Sequence, residues 1–498
     1  MQESLQRLAR ESAGYGVGLG LTKVLGVIVA LIYPIVLSRS EYGNIDVVTS
    51  LLPVLSPLFL LGMDVGLGRL YYQQPDPSGR QHLAATAFCA IIGLSVPITV
   101  LSMIFSAPLA LVLYAGDMNY ILYLRLGLLS LPFAVLYGFQ LLLLRLEGRF
   151  IAFGILVAAN QFIAASVAVP LIAFAHLGTV GALIGVAAAY AATSTAGVLL
   201  NWRFLYHRPV AGMLRDMLRI GLPLSVAGVP LWVLQSSDRL FLVRIVPGDP
   251  LGLYAMANGI VAVLGVAFYA FQNAWNPFAF SIMDHERSPG LYARTLTLLT
   301  ASGATIAVGA ALFAAEGLTL ISWVTGKDWR LALPALGPLV LGMLFYTMFL
   351  VMQTGAYITK RTSAIVWALS LAAAGNLLLN AMLIPLMGIA GAAIATALSY
   401  FIALVAMYVM AQRLAFIPYE VGKVVATVLA CVAVVIVAIP LNASMEWGTE
   451  LLKVALLLLF GLGLLAARVV TVAELCALGD DVLRRVRSAR TARAERQA

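Results

Sequence analysis

Apolar stretches of about 20 to 30 residues recur along the whole chain, separated by short polar breaks. They fall at about 13–37, 47–71, 83–113, 119–144, 151–175, 178–201, 220–245, 252–280, 295–323, 333–358, 364–386, 388–411, 421–440 and 448–470. Each is long enough to cross a hydrocarbon layer of roughly 30 Å as an α-helix rising about 1.5 Å per residue. None alternates apolar and polar residues as a membrane-barrel strand does. The pattern predicts an all-α polytopic membrane protein with about fourteen transmembrane helices.

Composition removes the soluble alternative. Of 498 residues, 62% are hydrophobic and 11% charged, whereas soluble domains carry about a quarter charged residues. Cys89, Cys431 and Cys476 lie far apart in apolar or tail sequence and propose neither a disulfide framework nor a metal site. Arg7 and Arg10 precede a run from Ala13 to Leu37 that is too long for a signal-peptide core and has no small-x-small cleavage site, so a retained first helix is expected.

Charge then gives the orientation. Alternate connections hold Arg80, Arg145, Arg149, Arg203, Arg208, Arg294, Lys360, Arg361, Arg413 and Lys423, and the remaining connections hold little beyond Arg39, Arg244, Lys327 and Arg330. The positive-inside rule places both termini in the cytoplasm. The net charge of +9 is explained by this asymmetry, so no nucleic-acid partner is implied. In the tail, Val472, Leu475, Leu478, Val482 and Val486 recur at helical spacing before Arg484, Arg485, Arg487, Arg490, Arg493 and Arg496. Such a segment lies on anionic membrane lipid.

Self-similarity appears at an offset of roughly 210 residues. Glu41-Tyr42-Gly43 leads into the second span as Pro250-Leu251-Gly252 leads into the eighth; Gly181-Ala182-Leu183-Ile184 matches Gly391-Ala392-Ala393-Ile394; Asn160 with Pro170 matches Asn376 with Pro385. An offset of six spans preserves orientation, so two parallel six-helix repeats related by an axis along the membrane normal are expected. The expected divisions are 1–208, 209–415, a pair of added helices over 416–472, and a basic tail over 473–498.

Several of these stretches resemble a known family. Gly375-Asn376-Leu377-Leu378-Leu379-Asn380, Ile384-Pro385 and the run from Gly388 to Thr396, ending Ser399-Tyr400, resemble the eleventh and twelfth helices of bacterial polysaccharide-biosynthesis flippases. Ser237-Asp238-Arg239, Gly252-Leu253-Tyr254 and Ala274-Trp275-Asn276-Pro277-Phe278 are similar to its seventh and eighth helices, and Leu37-Ser38 with Glu41-Tyr42-Gly43 to its first loop. The resemblance covers nearly the whole chain. It implies a member of the multidrug, oligosaccharidyl-lipid and polysaccharide exporter superfamily, with two lobes forming a V. It further implies a polyprenyl-diphosphate-linked oligosaccharide as cargo, moved from the cytoplasmic to the outer leaflet by alternating access, with polymerases and glycosyltransferases as partners.

A charge at mid-bilayer costs about 2.5 to 3.5 kcal/mol on insertion scales, so each is a candidate functional residue. Lys23 lies about 15 Å into the first span, close to the midplane. Arg125 and Arg239 lie nearer outer ends, where a long side chain can reach headgroups. These three are the candidate ligands of a diphosphate, with Asn273, Trp275 and Asn276 as candidate sugar contacts. Asp64, within Gly62-Met63-Asp64-Val65-Gly66, and Asp238 are the candidate ion-coupling carboxylates. The competing role for each is a salt bridge or interhelical hydrogen bond that fixes packing, and for Glu316 that role is the simpler one.

No phosphate-binding loop is present, since Gly326-Lys327 and Gly422-Lys423 lack both the leading spacing and the hydroxyl. No catalytic triad or metal-ligand spacing appears, so no enzyme and no cofactor is expected. The rival functions are a multidrug or organic-cation antiporter, a flippase for the peptidoglycan lipid precursor, and a non-transporting scaffold for glycan assembly. Basic intramembrane residues and two added spans argue against the first, and buried charges against the last.

Overall fold

The computed structural model describes residues 32–114, 120–226, 228–283, 288–443, 446–471 and 474. Eleven helices among them are long and apolar enough to cross a membrane, from Arg39–Leu60 to Trp447–Ala466. Most of the expected first span lies outside the described residues. The seventh and eighth apolar runs, expected as unbroken spans, are each two shorter helices: Ala211–Val226 with Val229–Ile245, and Asp249–Leu264 with Val266–Ser281. The second is also interrupted, between Arg39–Leu60 and Met63–Tyr71. Leu61 and Gly62 both take positive φ there, 46° and 75°, a conformation that glycine accepts without cost and that ends a right-handed helix. A hydropathy window sees none of these breaks, because the residues at them remain apolar.

The two halves share one packing scheme. In the first, Gly178–Leu205 packs on Tyr120–Leu146 and Phe150–Ala173; in the second, Ile389–Leu414 packs on Leu333–Met352 and Ser363–Met387. The matched asparagines do matching work. Asn160 Nδ2 donates to Thr193 Oγ1 at 3.0 Å and Asn376 Nδ2 to Ser399 Oγ at 3.1 Å, each tying the fifth helix of its half to the sixth. In hydrocarbon an amide has no bulk water to bond, so a partner on a neighbouring helix satisfies it.

Connections that the charge pattern assigns to opposite sides lie on opposite faces. On one face Arg39 pairs with Asp249 at 2.7 Å and donates to Asp328 O, while Lys327 caps the carbonyls of Pro34 and Ile35. On the other, Tyr72 donates to Leu146 O, His82 Nδ1 meets Arg208 O at 2.9 Å, and Arg294 bridges Glu420 and Glu474. The Arg294 guanidinium, by its hydrogen bond, holds the Glu474 carboxyl down at about 2. That fixes the start of the basic tail to the second half.

The two added helices, Val421–Leu441 and Trp447–Ala466, pack on Ser288–Leu312. Lys453, wholly buried, is bonded to Glu316 and lies 3.1 Å from Glu450. Glu316 therefore has the structural partner expected for it. Lys453→Leu is expected to cost about 3 to 5 kcal/mol, since it strands two carboxylates in an apolar setting. Lys453→Met with Glu316→Gln and Glu450→Gln should recover most of that loss, as read by thermal unfolding in detergent; no recovery would show that the lysine does more than balance charge.

Candidate functional site

The halves meet along the broken helices. Arg39–Leu60 runs beside Asp249–Leu264 and Val229–Ile245, and Met63–Tyr71 packs on Ala211–Val226. At one end of this seam a Cβ on Gly43 would lie 2.5 Å from Gly252 N, so backbones touch where any side chain would part them. At the other end a Cβ on Gly62 would overlap Gly221, and one on Gly66 would press on Met217. Gly43 and Gly62 are separated along the second span by about 28 Å at 1.5 Å per residue. The seam is thus closed near both faces.

Between the two closures lies a charge network that joins the halves. Arg239 Nε donates to Asp46 Oδ2 at 2.7 Å, and Nη1 donates to Gln235 O at 2.8 Å and Asp238 Oδ1 at 3.0 Å. The other oxygen of Asp238 accepts from the Tyr254 hydroxyl. Asp46 belongs to the first half and Asp238 to the second, so one guanidinium holds carboxylates from both. Arg239 is 9% exposed and Asp238 3%. Rather than reaching outward to headgroups, the arginine turns into the protein. A few residues away, Trp232 Nε1 crosses the same seam to Ser50 O at 3.2 Å.

Each half also carries a cavity, open on one side. In the second half a space of about 380 Å³ is bordered by Asp238, Gln235, Asn258, Gln272, Tyr346 and Tyr400 among apolar neighbours. Behind it, Asn376 Oδ1 accepts from Ser237 Oγ and Asn380 Nδ2, leaving Asn380 Oδ1 buried without a partner. In the first half a space of about 300 Å³ is lined by Thr49, Ser56, Tyr137, Asn160, Gln161 and Tyr190, among others, with no charged group among the described residues. Among the described residues no three His, Cys, Asp or Glu side chains gather closely enough to hold a metal ion.

The remaining candidates scatter. Lys23 lies outside the described residues, as do the side chains of Asn273 and Asn276. Trp275 is buried, its indole N–H donating to Thr354 Oγ1 at 3.0 Å and its ring stacked on Phe271. Arg125 is exposed and donates to Ser106 Oγ at 2.9 Å, apart from the Arg239 network. Asp64 is half-buried in the first turn of Met63–Tyr71, where the helix N-terminus favours a carboxylate. Sequence reasoning missed Asp46 and Tyr254. Arg239 was placed near the outer end of the seventh span, and an acid at the same depth on the second span, Asp46, is its natural partner.

The fold is that of the membrane transporters of the MOP superfamily. The chain matches the lipid II flippase MurJ in an inward closed conformation with a TM-score of 0.72 at 13% identity, over 90% of this chain and 97% of that one. It matches an inward-facing multidrug resistance MATE family transporter at 0.63 and 15%, over 80% and 98%. A MOP superfamily transporter from Pyrococcus furiosus matches at 0.53 and 15%, over 84% and 96%. No curated relative matches the sequence. The model of the polysaccharide biosynthesis protein family matches residues 36–334, and the chain belongs to that family.

Proposed function

We propose that the protein is a flippase that carries a polyprenyl-diphosphate-linked oligosaccharide from the cytoplasmic to the outer leaflet of a bacterial inner membrane, for cell-surface polysaccharide synthesis. The observation that carries this reading is the Arg239 bridge, a buried guanidinium shared by carboxylates of both halves. A guanidinium fork suits phosphate oxygens as well as carboxylates, so a diphosphate arriving between the halves replaces Asp46 on Arg239 and loosens the seam. Family membership supports the glycan part of the cargo.

The two glycine closures supply the alternation. Parting Gly62 from Gly221 opens one face and parting Gly43 from Gly252 opens the other, with the charge network between them. The excess of arginine on the Gly62 face makes that face the cytoplasmic one. Asp238, between Arg239 and the cavity of the second half, is the proposed coupling carboxylate: a cation or proton there weakens its hold on the arginine.

Deleting the gene and analysing inner-membrane lipids tests the reading. A lipid-linked surface glycan is expected to accumulate on the cytoplasmic side. Accumulation of the peptidoglycan precursor instead would assign the cargo of the rival flippase. An unchanged lipid profile with altered drug susceptibility would favour an organic-cation antiporter, a reading to which the acid-bordered cavity of the second half lends support.

A further inference from the structure

We infer that the cavity of the first half is a binding site for one uncharged sugar ring of the cargo, an inference that rests on the proposed flippase reading. Among the described residues its lining is polar without being charged. Thr49, Ser56 and Pro53 come from the second span, Tyr137 from the fourth, Gln161 from the fifth and Tyr190 from the sixth. Tyr33 closes one side, and its hydroxyl is buried with no hydrogen-bond partner. Among the described residues neither the Gln161 amide nor the hydroxyls of Tyr137 and Tyr190 have a protein partner either. The rings of Tyr137 and Tyr190 lie side by side, 5.6 Å between centroids.

The backbone adds acceptors. Pro53 and Pro57 lie inside Arg39–Leu60 and have no N–H to give to the carbonyls four residues earlier, those of Thr49 and Pro53, both on residues that line the cavity. Thr49 and Ser56 spend their hydroxyl hydrogens on Ile45 O and Leu52 O, which leaves oxygen lone pairs facing outward. A membrane span seldom leaves so many donors and acceptors unpaired unless something fills the space they surround. Freed carbonyls and an amide accept from sugar hydroxyls, tyrosine hydroxyls donate to them, and aromatic rings cover C–H faces. An anionic sugar finds no cation among the described residues of this lining, and a lipid tail would leave the polar groups unpaired. At about 300 Å³ the space is at the small end of ligand pockets, which fits a single ring and not a chain. Asn160, whose repeat partner Asn376 lies behind the acid-bordered cavity, borders this neutral one, so the two halves have divided the work between sugar and charge.

The test uses the full-length protein in lipid nanodiscs and titrates four probes: farnesyl diphosphate alone, and farnesyl diphosphate bearing N-acetylglucosamine, galactose or glucuronate. In the wild-type protein at least one uncharged sugar is expected to tighten binding about tenfold over the bare diphosphate, the equivalent of one or two hydrogen bonds, and glucuronate is not. Gln161→Ala with Tyr190→Phe should reduce that gain to less than threefold while leaving the bare diphosphate unchanged, which also reports that the variant is folded. Tyr137→Phe alone, which removes only a hydroxyl, should reduce it in part. If no uncharged sugar improves on the bare diphosphate, or glucuronate improves as much, or the gain survives in the variants, the cavity holds water only and the inference is overturned while the flippase reading stands. If none of the four probes binds, the flippase reading falls and takes this inference with it.

Discussion

Replacing Arg239 with glutamine is expected to abolish export and to cost about 3 to 5 kcal/mol of stability, because Asp46 and Asp238 then face each other across the seam without a cation. Loss of export alone does not separate a substrate ligand from a packing element, so the informative variant is the double one. Asp46→Asn with Arg239→Gln removes one charge of each sign and should recover part of the thermal stability, Asp238 keeping its bond from the Tyr254 hydroxyl, while export stays below about one hundredth of wild type, the loss that follows from a missing diphosphate contact of about 3 kcal/mol. Export restored together with stability would make Arg239 a strut and nothing more. Arg239→Lys should be intermediate, since an ammonium keeps the charge but cannot hold Asp46 and Asp238 with one planar fork. Export is read by complementation of the deletion strain, with protein level measured alongside.

Gly62→Leu should have the second-largest effect. Gly62 has φ of 75°, so any side chain there costs about 1 to 2 kcal/mol in backbone strain alone, and its Cβ would overlap the Gly221 backbone. The closed seam cannot contain both. The expected result is a folded protein held apart at that face, with export below about a tenth of wild type. Met217, fully buried against Gly66, serves as the reporter. In a cysteine-free background carrying Met217→Cys, a hydrophilic maleimide should label the Gly62→Leu protein several times faster than the protein with glycine. Equal labelling would show that this contact is not the closure.

Much of the architecture follows from patterns that survive in one dimension. Apolar runs give the helices because each must supply its own backbone hydrogen bonds in hydrocarbon, and Asn160 and Asn376 betray the repeat because both must find a partner one helix away. The break at Leu61–Gly62 leaves no hydropathy trace, since a change of φ does not alter side-chain polarity, and the break beside Gly228 leaves none because its neighbours remain apolar. Lys453 illustrates another kind of loss. Its partner Glu316 is 137 positions away, and nothing in either local sequence selects the other from the remaining charges near span ends. The neutral cavity was harder still, because threonine, serine and tyrosine inside membrane helices are ordinary singly and become informative only when five helices bring them around one space.

Gly43 and Gly252 occupy equivalent places in the two repeats and touch each other. Contact between a position and its own counterpart is what a twofold dimer makes at its axis, so at this end of the seam the halves of this chain meet much as two identical subunits would. A bulky residue at either one injures the same end of the seam, since a Cβ on Gly43 meets Leu251 and Gly252 and one on Gly252 meets the Arg39 backbone, and loss at one position is not relieved by its copy. Duplication, which usually frees one copy of a residue to drift, has here tied both to the same constraint.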